Sequence, residues 1–174
     1  MTCSEFRERY AEFMPVETNV TYRRWLPKDI AFLWEMLYCS IHVSEGSALP
    51  DRTILEQPEI EHYLKDFGTR WGDDAQVALA DEGVQIGAAW CRHLDQSDPG
   101  YGFVDESIPE LGMAVDTTMR GRGIGRALLL CLLDRHPIMS LSVDNDNQQA
   151  VGLYESLGFV TLSNSGSNST MIRR

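Results

Sequence analysis

One stretch restricts the fold more than any other: Glu110 to Asp134, ELGMAVDTTMRGRGIGRALLLCLLD. Its first part alternates. Leu111, Met113 and Val115 fall on one side and Glu110, Gly112 and Ala114 on the other, which is the period of a strand. Its last part, Arg126 to Leu133, is almost wholly apolar and made of strong helix formers, so it predicts a helix packed on a sheet. Between them lies Arg120-Gly121-Arg122-Gly123-Ile124-Gly125. A further alternating run, Ile138 to Val143, sets Met139, Leu141 and Val143 against Ser140 and Ser142. The chain from Val115 through the helix to Ile138 is therefore expected to be a right-handed parallel crossover.

The same junction is an anion site. The first turn of a helix has unpaired N–H groups and a partial positive charge. Glycines let the backbone approach a phosphate closely. Arg120, Arg122 and Arg126 add cations with several donors each. The expected ligand is a phosphorylated cofactor with a pyrophosphate; the plain alternative is a tight turn that binds nothing. A P-loop needs Gly-Lys-Ser/Thr, but Gly125 is followed by Arg126 and Ala127. A dinucleotide fingerprint needs a third glycine where Arg126 or Leu128 stands.

The rest of the chain supplies the other elements. Val20 to Trp25 reads as a first strand. Pro27 suits the first turn of a helix whose stripe is Ile30, Leu33, Trp34, Leu37 and Ile41. Ser44 to Arg52 is a loop. A second helix starts near Pro58, with Ile60, Tyr63, Leu64 and Phe67 as core stripe and Gly68 as its end. Gln76–Ala80 and Val84–Cys91 flank Asp81-Glu82-Gly83 as a hairpin, with Val84, Ile86, Ala88 and Trp90 on one face. Asp95 to Asp105 is a second loop. Asn147 caps a helix with Ala150, Leu153, Tyr154 and Leu157 on one face and Gly158 as its stop. Phe159–Leu162 and Thr170–Ile172 are final strands joined by a flexible Ser163–Ser169. That order gives an α/β fold: one mixed sheet with helices on both faces. At 174 residues one domain over 1–174 is expected, with Met1–Thr18 a polar or helical lead-in.

Charge and composition narrow the function classes. A net charge of −11 argues against nucleic acid as a partner. No apolar run is long enough to span a membrane, and the charged first twenty residues do not form a signal peptide, so the expected compartment is the cytoplasm. Cys3, Cys39, Cys91 and Cys131 are scattered, as are His42, His62, His93 and His136, and none has zinc spacing; no metal is expected. Asp144, Asp146, Gln148 and Glu155 imitate a calcium loop, but its obligatory glycine position holds Gln149, and a helical stripe runs through the same residues.

Two motifs together point to a family. Arg120-x-x-Gly123-x-Gly125 lies between a strand and a helix. Asn147-x-x-Ala150-x-x-Leu153-Tyr154-x-x-x-Gly158-Phe159 follows about twenty residues later. In these the chain resembles the GNAT superfamily of N-acetyltransferases, over Glu110 to Phe159. The resemblance implies a mostly antiparallel central sheet of six to seven strands, splayed at the middle and flanked by about four helices. It implies acetyl-CoA as cofactor, with CoA as product. Met113, Ala114 and Val115 would line the pantetheine arm, with backbone groups of Met113 and Val115 bonding its amides. Arg120, Gly121, Arg122, Gly123, Ile124, Gly125 and Arg126 would hold the pyrophosphate. Asn147 would contact the cofactor, Ala150 would let the helix pass close to it, and Tyr154 would sit near the sulfur.

The implied reaction moves an acetyl group directly to an amine. An ammonium with a pKa near 10 must lose a proton first, at a cost of roughly 4 kcal/mol at pH 7. Glu110 is the expected general base, with a solvated or salt-bridged edge residue as the plain alternative; Tyr154 is the expected general acid. A backbone N–H of the Met113–Val115 strand is expected to meet the oxyanion. The acceptor amine, small molecule or protein, would be bound by His42–Ile54, Leu94–Pro109 and Thr161–Ser169, with Asp105, Glu106 and Glu110 as an acidic patch. The resemblance also admits a homodimer. The alternatives are a non-catalytic acyl-CoA-binding module and a binder of another phosphorylated ligand.

Overall fold

The computed structural model describes residues 19–43, 46 and 48–174. The lead-in assigned to Met1–Thr18, and part of the loop assigned to Ser44–Arg52, lie outside the described residues. The strands are β1 (Thr21–Arg24), β2 (Asp74–Leu79), β3 (Gln85–Arg92), β4 (Glu110–Val115), β5 (Met139–Asp144), β6 (Val160–Ser165) and β7 (Asn168–Arg173). The helices are α1 (Ile30–Ser40), α2 (Pro58–Glu61), α3 (Ile124–Leu133) and α4 (Gln148–Ser156). The strands form one sheet in the order β1-β2-β3-β4-β5-β7-β6. Every neighbouring pair is antiparallel except β4 and β5.

Alternation sorts side chains into two cores. On one face α3 buries Leu128, Leu129 and Leu132 against Leu111, Leu141 and Met171. On the other, Leu33, Met36 and Leu37 of α1 pack with Tyr63, Leu64 and Phe67 against Val77, Ala88 and Trp90. Interior strands β2 and β3 are buried on both faces, as a sheet covered on both sides requires.

The sheet opens at its centre. β3 and β4 pair from Gly87↔Val115 to Arg92↔Glu110. β4 and β5 pair only at Glu110↔Ser140, where Ser140 N–H also donates to the Pro109 carbonyl at 3.1 Å. Beyond that rung the two parallel strands diverge, and this gap positions the site.

Local expectations fail at three places. A bulge between Ala78 and Leu79 shifts the β2–β3 register, so Ile86 joins the α3-side core while Ala88 and Trp90 face α1; Val84 is 58% exposed. The second helix ends after one turn at Glu61 and continues as turns to Phe67, because buried Arg92 takes the His62 and Lys65 carbonyls at 2.8 and 2.6 Å. The segment read as flexible, Ser163–Ser169, is instead the end of β6, a turn with Gly166 at φ +61°, and the start of β7.

Candidate active site

A cavity of about 910 Å³ occupies the gap. β4 from Glu110 to Val115 forms one wall, and Ser142 to Asp144 on β5 the other. The start of α3 closes one end. Tyr63, Trp90 and the end of α1 border the opposite side of the sheet.

The glycine loop is shaped for close approach. Asp116 ends β4 by accepting from Thr118 N–H at 2.8 Å, and a 3-10 turn follows over Thr117–Met119. Gly123 then caps α3 at φ +74°, a left-handed conformation that a side chain would strain. It brings no side-chain acceptor to the helix start, so no N-cap side chain satisfies the first amides of α3. The arginines are arranged unevenly. Arg120 Nε donates to the Val115 carbonyl at 3.0 Å, and Arg126 Nη2 donates to Ser156 Oγ at 2.6 Å. Both border the cavity; Arg122 is exposed and lies outside its lining.

α4 brings the second motif to the same space. Asn147 Oδ1 accepts from Ala150 N–H at 3.2 Å, which starts the helix, and the residue lines the cavity. Gln148 to Ser156 are helical, so the residues that imitate a calcium loop have helical geometry. Tyr154 is buried, its ring edge-on to Phe159 at 5.7 Å. Burial pushes its phenol up to about 12, so it stays protonated as a donor.

Glu110 is an interior group rather than an edge residue, at 3% exposure. Its Oε1 accepts from Tyr63 Oη at 2.7 Å and from Gly102 N–H at 2.8 Å. Its Oε2 is buried with no hydrogen-bond partner among the described residues. Burial raises its pKa to about 7, against the lowering effect of those two donors. Asp105 and Glu106 do not share an acidic patch with it: they are exposed and hold Ser107 and the Gln96 N–H.

The fold therefore gathers Glu110, Met113, Ala114, Val115, Arg120, Gly121, Gly123, Ile124, Gly125, Arg126, Asn147, Ala150 and Tyr154 around one cavity. His42, at the start of the expected acceptor segment, lines the cavity with its Nε2 2.9 Å from Asp146, whereas sequence reasoning missed Tyr63 and Trp90, which fit a core stripe and a strand face. No local pattern marks them, because each reaches the cavity only through tertiary packing.

Comparisons with known proteins agree with this fold. The model of the Acetyltransferase (GNAT) family matches residues 34–159. The mycothiol acetyltransferase of Nocardiopsis dassonvillei is 41% identical over 127 residues, which are 68% of this chain and 34% of that protein. That of Streptomyces coelicolor is 39% identical over 150 residues, or 82% and 43%. The chain thus spans well under half the length of these curated relatives. Among solved structures, the PaiA N-acetyltransferase of Thermoplasma acidophilum in complex with coenzyme A matches with a TM-score of 0.63, at 18% identity, over 90% of this chain and 99% of that one. At that identity the likeness is one of fold.

Proposed function

Because the chain belongs to the acetyltransferase (GNAT) family, we propose that it is an N-acetyltransferase that moves an acetyl group from acetyl-CoA to an amine. The observation that carries this reading is the single cavity that joins the glycine loop, the parted strands, Tyr154 and Glu110. The left-handed Gly123 and the first amides of α3 suit a pyrophosphate, and the gap beside Met113 to Val115 suits an extended arm.

Acetyl-CoA supplies an acyl carbon already activated as a thioester. Glu110 takes a proton from the acceptor ammonium, directly or through one water. A carboxylate at about 7 instead of 4.5 makes that transfer easier by about 3 kcal/mol. The amine nitrogen bonds to the acyl carbon as the carbon–sulfur bond breaks, the second proton that the nitrogen sheds passes by way of the Tyr154 hydroxyl to the departing thiolate, and a β4 amide in the gap receives the developing oxyanion. Tyr154 donates its phenolic hydrogen to the departing sulfur. Full transfer from a phenol near 12 to a thiolate of ordinary pKa is uphill, so a short hydrogen bond supplies the early stabilisation.

The acceptor is a small-molecule or protein amine, bound on the side lined by Tyr63, Trp90 and Tyr101. The decisive experiment is thiol release from acetyl-CoA across a broad amine panel that includes mycothiol-type amines. Amine-dependent release supports the reading. Tight CoA binding with no release for any amine identifies a non-catalytic binding module instead.

A further inference from the structure

We infer that Tyr63 is a positioning residue for Glu110, and that it couples the carboxylate to the seating of the loop between β3 and β4; this rests on the acetyltransferase reading above. A backbone N–H can only donate. Tyr101 N–H lies 2.9 Å from Tyr63 Oη, so the phenol accepts there and directs its own proton to Glu110 Oε1 at 2.7 Å. Gly102 N–H supplies the second donor to that oxygen. One carboxylate oxygen is thus held by the Tyr63 phenol and a loop amide, while the other remains buried and unpartnered in a residue that lines the cavity.

The loop is built to lie against this pair. A Cβ at Gly100 would stand 2.2 Å from Glu110 Oε2 and 2.6 Å from Tyr63 Oη. Tyr63 is itself fixed, 8% exposed and edge-on to His62 at 4.6 Å. The charged groups around Glu110 are otherwise engaged. Arg92, its β3 register partner, is bound to Asp73, and His62 is bound to Asp98. Ser140, opposite on β5, is neutral. Burial, Tyr63 and Gly102 therefore set how tightly Glu110 holds a proton, and Tyr63 is the side chain among them that a substitution can remove.

The test is Tyr63→Phe, read by pH profiles of thiol release and, separately, by denaturant unfolding from about pH 5 to about pH 9. Without the phenol the charged carboxylate loses a donor. The acidic limb of kcat/KM should move up by about one to two pH units. Turnover at pH 7 should fall about tenfold or more and recover at high pH, with CoA affinity unchanged. Stability should go on falling above pH 7, where the wild type levels off. An unmoved limb and an unmoved unfolding profile would overturn the inference and leave the proposed function intact. A wild type that acetylates no amine would defeat the function, while the unfolding arm would still decide the Tyr63–Glu110 coupling. Should Tyr63→Phe not fold, Gly100→Ala, which crowds the same carboxylate, is expected to give a shifted unfolding profile; a wild-type profile would refute the coupling.

Discussion

At the scale of single residues, two oxygens divide the proposed chemistry. Tyr154 is buried and lines the cavity, so Tyr154→Phe removes a donor with little change in packing. Turnover should fall about a hundredfold with CoA affinity nearly unchanged, measured by steady-state kinetics and calorimetry. Glu110 makes a prediction about stability as well as rate. Its folded pKa of about 7 lies above the unfolded value of 4.5, so the folded protein holds a proton that the unfolded chain releases. That contribution is complete below about pH 4.5 and is lost as pH rises to about 7, a change of about 3 kcal/mol. Glu110→Gln should abolish this component in denaturant titrations and cost about a hundredfold in turnover at neutral pH. A variant whose stability kept the wild-type pH slope would place the titration elsewhere.

At the scale of elements, the glycine loop and the α4 cap were the most legible parts. Their signals are local: a left-handed residue must be glycine-like, and a helix start needs an acceptor within three residues. Gly123→Val forces a branched side chain to φ +74° at the head of α3. It should cost about 1–3 kcal/mol in unfolding experiments and abolish CoA binding by calorimetry. Retained affinity would remove the loop from the cofactor site. The second helix was the least legible element. Its apolar spacing is helical through Phe67, yet two of its carbonyls are claimed by an arginine on β3. Period alone cannot reveal that competition.

At the scale of the whole molecule, Arg92 joins layers that the site depends on. It is fully buried, pairs with Asp73 through two contacts of 2.8 Å, and holds the segment that carries Tyr63. Arg92→Met would leave the Asp73 carboxylate buried without its cation. The urea midpoint should correspond to a loss of about 3–5 kcal/mol. A change under about 1 kcal/mol would show that the pair contributes little beyond packing.

The sequence by itself determined the alternation of β4 and β5, the crossover helix between them, the glycine loop and the capped α4, and with them the residues from Glu110 to Tyr154. These rest on period, propensity and backbone sterics, which act over a few neighbours. Tertiary structure alone decided that β4 and β5 pair at one rung and then part, and that Ile86 changes face at a bulge. It also decided that Glu110 is interior and held by a tyrosine 47 positions away. Those outcomes depend on which distant groups compete for the same carbonyls, amides and buried volume, and that competition exists only once the layers have packed.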